Sequence, residues 1–173
     1  MIHVAADPPW DQWSKGDPWN YAPPLPDYAA PFERLAVAFT FLMTTKGIPL
    51  IYYGDEIGLP GAGDPDNRRF MPWEGYSQHQ LKLRGHIEKL GAIRRGHAAL
   101  WRGSRTTVSV SGDTYAYAMS DGEETLYVVL NRGDQAGAVD HMPAKGHDLL
   151  GGGNIAGPKL NLPPRSAMIV VPD

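Results

Sequence analysis

The chain has 173 residues, 42% of them hydrophobic, and a formal net charge of −3. That length holds one ordinary domain or one and a half small ones, at roughly 100–200 residues per domain. The charge gives no electrostatic reason for a nucleic-acid or anionic-membrane partner, no apolar run reaches the roughly 18 residues of a membrane span, and the lack of cysteine excludes disulfides and thiolate metal sites.

The first seven residues, Met1 to Asp7, have neither the basic nor the apolar region of a signal peptide. Residues 1–30 read as a loop rich in Pro, Trp and Asp: Asp7-Pro8-Pro9-Trp10, Asp17-Pro18-Trp19 and Pro23-Pro24-Leu25-Pro26. Long irregular loops are uncommon unless functional or disordered, and three tryptophans favour function. A helix is expected from about Pro31 to Thr45, with Pro31 at its first position and Glu33 in its first turn. Phe32, Leu35, Ala36, Phe39, Leu42 and Met43 lie on one helical face. Val37, Ala38 and Phe41 extend the apolar surface, so several sides expect cover. Lys46-Gly47 ends the helix.

The run Ile48-Pro49-Leu50-Ile51-Tyr52-Tyr53 then reads as a strand buried on both faces, as in a parallel sheet. A loop rich in Gly, Pro, Asp and Arg follows, to about Ser77. A second helix is expected from about Gln78 to Arg95, its inner stripe formed by Leu83, Ile87, Leu90 and Ile93 or Arg94. Helix, buried strand, loop and helix make an α/β pattern. From Ala98 apolar residues alternate with polar ones: Val108 and Val110, Tyr115 to Met119, Leu126 to Leu130, Leu160 and Leu162, Met168 and Val170. Turn signals at 111–113, 121–122, 131–134, 151–153 and 163–164 separate them. This predicts a small antiparallel β-sandwich with a domain boundary near residue 97.

The segment from Gly47 to Gly58, with its core Ile51-Tyr52-Tyr53-Gly54-Asp55-Glu56, is followed by Asp64-Pro65-Asp66-Asn67-Arg68-Arg69 and Met71-Pro72-Trp73. Together these blocks resemble glycoside hydrolase family 13, the α-amylase family. The resemblance implies that residues 1–97 are the C-terminal part of a catalytic (β/α)8 TIM barrel, comprising its seventh helix, eighth strand and eighth helix. Residues 98–173 would be the C-terminal antiparallel β domain. It implies an α-glucan oligosaccharide or polysaccharide as ligand; no cofactor is expected, and the scattered histidines predict no metal. In related maltodextrin-acting members an Asp and an Arg at this spacing bind glucose hydroxyls, which carries over to Asp64 and Arg68. A carboxylate accepts from vicinal hydroxyls and a guanidinium donates through a fixed fork. The plainer alternative has Asp64, Asp66, Arg68 and Arg69 pairing to shape their loop.

Asp55 and Glu56 are adjacent. On an extended segment they point to opposite sides, which does not suit the ~5–5.5 Å carboxylate separation of a retaining glycosidase; a loop-orienting role is expected. Trp10, Trp13, Trp19 and Tyr21 could stack on sugar rings or wedge the loop's prolines. The histidines at 79, 86, 97, 141 and 147 lack metal-ligand spacing. The resemblance also places a nucleophilic Asp, a general-acid Glu and an Asn-His-Asp motif after barrel strands four, five and seven, and none of these motifs occurs here. On this reading Met1 stands inside a barrel whose N-terminal portion is a missing partner. The chain alone would then be inactive, its 31–45 helix left facing water. The alternatives are a non-catalytic carbohydrate-binding protein and a fragment that complements a separately made barrel piece.

Overall fold

Helix-forming periodicity becomes helix where expected, while the one run read as a parallel-sheet strand does not pair. The computed structural model describes Ile2, residues 24–61 and residues 66–173. Helix α1 spans Ala29–Met43, α2 Gln78–Gly96 and the short α3 Ala99–Arg102. Eight strands follow: β1 Ser104–Ser111, β2 Thr114–Ser120, β3 Thr125–Asn131, β4 Gly137–Val139, β5 Lys145–Asp148, β6 Asn154–Ala156, β7 Leu160–Leu162 and β8 Ser166–Pro172. Two compact units result. One holds Leu50–His86 with the residues up to Leu35, the other Ala36–Pro49 with Ile87–Asp173.

In the first unit, α2 begins with a reciprocal cap: the Gln80 N–H donates to Ser77 Oγ at 3.2 Å, and the Ser77 N–H donates to Gln80 Oε1 at 3.0 Å. The same amide donates through Nε2 to the Ile57 carbonyl at 3.0 Å, which ties the buried Ile57 turn to the helix start. Phe32 stacks on His79 at 5.5 Å between ring centroids.

Three expectations need correction here. Helix α1 begins at Ala29, so Pro31 lies inside the first turn, where an N–H has no helical partner anyway, and Glu33 falls in the second. The helix is also largely covered, since Phe32, Leu35, Val37, Phe39, Met43, Thr40 and Thr44 are buried, while Ala38 and Phe41 stay exposed. Thirdly, Ile48 to Tyr53 form no strand: Ile48 is 99% and Leu50 87% exposed. A strand exists through hydrogen bonds to a neighbouring strand, and among the described residues none pairs with this run.

In the second unit, β1-β2-β3-β8-β5-β6 form an antiparallel sheet and β4-β7 a two-stranded one, consistent with a sandwich domain. Ala116, Val129 and Val170 pack with Val139, Met142, Ile155, Leu160 and Leu162 between them. Successive strand residues point to opposite faces, so Tyr117, Val128 and Ile169, paired across β2, β3 and β8, occupy the other face. They too are fully buried. On that face the Tyr117 hydroxyl bonds Thr44 Oγ1, and its ring meets Phe41 edge-on at 6.0 Å. Burial pushes the Tyr117 phenol well above its ordinary value. The strands are therefore apolar on both faces rather than one. The short β4, β5 and β6 arise in a stretch whose sequence shows chiefly turn signals; β4 depends on pairing with β7, β5 on pairing with β8, and β6 on pairing with β5.

Gly103 sits between α3 and β1, where a Cβ would come 2.3 Å from the Ala99 carbonyl oxygen and 2.9 Å from that of Ser120. Both are backbone atoms that cannot step aside. Gly103→Ala is therefore expected to lower unfolding free energy by about 1–3 kcal/mol. A chemical-denaturation midpoint equal to that of the natural chain would contradict this close approach.

Candidate functional site

The site is built where the apolar run ends. The Asp55 N–H donates to the Tyr52 carbonyl at 3.0 Å and the Leu59 N–H to that of Gly54 at 2.8 Å, folding Asp55–Ile57 into a 3-10 turn. Gly54 has φ 88°, and a Cβ there would lie 2.7 Å from the Leu59 side chain, so the turn requires glycine. A second 3-10 turn, Asp66–Arg68, follows. The Tyr53 hydroxyl donates to the Arg69 carbonyl at 2.9 Å, connecting the two turns.

Between them lies a cavity of about 490 Å³, lined by Tyr52, Tyr53, Asp55, Leu59, Asn67 and Arg68, with Gly54, Pro60 and Gly61 completing the wall. Desolvation by burial pushes the Asp55 carboxyl above the usual carboxylate range; a backbone hydrogen bond from Tyr52 opposes that shift and the Glu56 charge adds to it. The residues that line it carry two aromatic rings, a carboxyl, an amide and a guanidinium. That set suits a neutral polyhydroxylated ligand with an apolar face: hydroxyls can be both accepted and donated to, and rings cover carbon.

Of the residues singled out from sequence, Arg68 lines this cavity, while Asp64 lies outside the described residues, as do Trp10, Trp13, Trp19 and Tyr21. Asp55 and Glu56 occupy a 3-10 turn, not an extended segment. Neighbours in such a turn diverge by about 120° instead of pointing to opposite sides. Asp55 lines the cavity and Glu56 does not. Tyr52 and Tyr53, which the sequence marks as strand residues and part of the family motif, also line the cavity. Among the described residues no three His, Asp or Glu side chains gather as a metal site would need, and no helix is long and apolar enough to cross a membrane.

No family model matches the chain. It is similar to neopullulanase 2 of Thermoactinomyces vulgaris, with 36% identity over 152 residues that cover 79% of this chain and 25% of that protein. It is also similar to a cyclomaltodextrinase of Geobacillus thermopakistaniensis, with 35% identity over 109 residues, 62% of this chain and 18% of the relative. Among solved structures, an Anoxybacillus α-amylase matches with TM-score 0.73 and 27% identity over 83% of this chain and 33% of its own. An α-amylase from Geobacillus thermoleovorans, solved in complex with acarbose, matches with TM-score 0.72 and 26% identity over 80% and 33%. The chain therefore spans a quarter or less of these curated relatives.

Proposed function

The chain belongs to glycoside hydrolase family 13, the α-amylase family, matching the C-terminal part of its relatives, and on that premise we propose that it serves an enzyme acting on α-glucans by holding sugar. Residues 1–97 belong to the end of the catalytic barrel and 98–173 to the following β domain. Asp64 and Arg68 contact glucose hydroxyls, and the carboxylates that cleave the glycosidic bond lie outside this chain.

The observation that carries this reading is the cavity that Arg68 lines together with Asp55, Asn67 and two tyrosines. Relatives named for their action on cyclomaltodextrin, and a structural neighbour complexed with acarbose, support a glucose-based ligand. The retaining reaction of the family needs a nucleophile and an acid, and the motifs that supply them are absent from the sequence.

Calorimetric titration of the 173-residue chain with maltotriose is expected to show saturable binding that Arg68→Ala weakens about tenfold, the loss of one charge-assisted contact of about 1.4 kcal/mol. Soluble starch is expected to remain intact in both samples. Unchanged affinity in the variant would remove Arg68 from the site. Hydrolysis of starch by the purified chain would overturn the assignment of chemistry to residues elsewhere.

A further inference from the structure

The cavity takes Gly54, Asp55 and Leu59 of its wall from one short turn. That turn is closed by the Ile57 and Leu59 N–H groups, which donate to the Gly54 carbonyl at 3.2 and 2.8 Å, and by the Gly58 N–H, which donates to the Asp55 carbonyl at 3.0 Å. A single 3-10 turn, Asp55–Ile57, has few hydrogen bonds of its own and poorer geometry than an α-helix. What holds it from outside therefore decides where Asp55 stands. Two groups do so on its buried side. Gly58 lies against Phe32, where a Cβ would come 3.1 Å from the ring. Ile57 is fully buried, and its carbonyl accepts from Gln80 Nε2 at 3.0 Å.

Gln80 is only 4% exposed, and its amide is used at both ends. Oε1 accepts from the Ser77 N–H at 3.0 Å at the start of α2, while Nε2 donates to the turn. A flipped amide would set acceptor against acceptor and donor against donor, so the network fixes its orientation. Capping a helix from this position requires only an acceptor, which Glu supplies as well as Gln. The cap alone thus has no use for the Nε2 donor, and the buried Ile57 carbonyl has.

We infer that Gln80 is a positioning residue that holds the Asp55–Ile57 turn in place as the wall of the cavity. It touches no ligand and acts through the Ile57 carbonyl. Its effect on binding rests on the reading of the cavity as a sugar site; its hold on the turn does not.

The test compares the full 173-residue chain with Gln80→Glu and Ser77→Ala by residue-resolved amide hydrogen exchange, melting point and maltotriose affinity. Gln80→Glu keeps the acceptor for the Ser77 N–H and removes the donor to Ile57. Ser77→Ala removes the hydroxyl cap of α2 and keeps that donor. In Gln80→Glu the Gly58 and Leu59 amides are expected to exchange roughly three- to tenfold faster, the Ile169 amide to keep its rate, and affinity to fall by a similar factor. Ser77→Ala is expected to melt a few degrees lower, with turn exchange and affinity as in the natural chain. Turn amides that exchange as slowly in a folded Gln80→Glu as in the natural chain overturn the hold. Faster turn exchange with unchanged affinity leaves Gln80 a structural residue and rejects the positioning role. Equal acceleration of the turn by Ser77→Ala assigns the effect to the helix start and rejects it too. Should the natural chain bind no maltotriose, the sugar reading falls, and turn exchange alone decides whether Gln80 holds the cavity wall. If Gln80→Glu does not fold, Gln80→Met, which keeps the stem without the donor, takes its place. Acceleration confined to Gly58 and Leu59 then supports the hold, and none rejects it.

Discussion

Arg94→Ala is expected to destabilise the chain by about 3–5 kcal/mol, because several carbonyls at one helix end lose a charged donor at once. Arg94 is only 8% exposed. Its Nη1 donates to the carbonyls of Met43 at 2.7 Å, Thr45 at 3.0 Å and Leu100 at 2.9 Å, and its Nη2 to that of Gly47. The last carbonyls of a helix have no partner within it, and a cation placed there also meets the negative end of the helix dipole. One guanidinium thus satisfies the end of α1 and fastens it to α3. Burial pulls its pKa down, although an arginine remains protonated in proteins.

Arg94→Met separates the contributions, because it keeps most of the packed stem while removing the donors. Arg94→Lys keeps the charge but not the fork, and is expected to fall between Met and the natural chain. At about 2–4 °C per kcal/mol for a chain of this size, Arg94→Ala melts roughly 6–20 °C below the natural protein. A melting point lowered by only a degree or two would mean that water caps the end of α1 and that the arginine contributes little.

The second large effect is expected at Asp148, 5% exposed at the end of β5. Its Oδ1 accepts from the Leu150 N–H at 3.0 Å and the Ile169 N–H at 3.1 Å, and its Oδ2 from the Gly151 N–H at 2.8 Å. The carboxylate therefore organises the turn into β6 and joins it to the buried middle of β8. Asp148→Ala leaves three N–H groups without an acceptor, at a cost of about 2–4 kcal/mol. Asp148→Asn keeps the shape but sets an amide N–H₂ against one of the donors, and a smaller loss is expected. Hydrogen exchange reads this directly: the Ile169 amide should exchange much faster in Asp148→Ala. Protection of Ile169 equal to that of the natural chain would show that the carboxylate does not hold β8.

Much of the architecture was legible because local chemistry and tertiary burial agree. The apolar spacing from Phe32 to Met43 predicts α1, and the stripe Leu83, Ile87, Leu90 predicts the buried side of α2. Between the alternatives for the last position of that stripe, the buried one is Arg94, a choice that hydrophobicity alone does not make. Tyr117 alternates as an inward strand residue should, but that Ala116 beside it is also fully buried follows only once the sheet is covered on both sides. The 54–68 loop was recognised by its motif, whereas its wall of Tyr52 and Tyr53 was hidden inside an apolar run read as strand.

What the sequence by itself determined is the two long helices, most of the strands that follow them, the places where the chain turns, and the family, because periodicity, Gly and Pro positions and motif spacing are local properties of a chain. Only the tertiary structure decided which partners those elements find. Among the described residues it gives Ile48 to Tyr53 no partner strand, since a strand needs a neighbour that no local property supplies. It also set Arg94 among four carbonyls and Asp148 among three N–H groups, because a buried polar group must take its partners from chain brought close by folding.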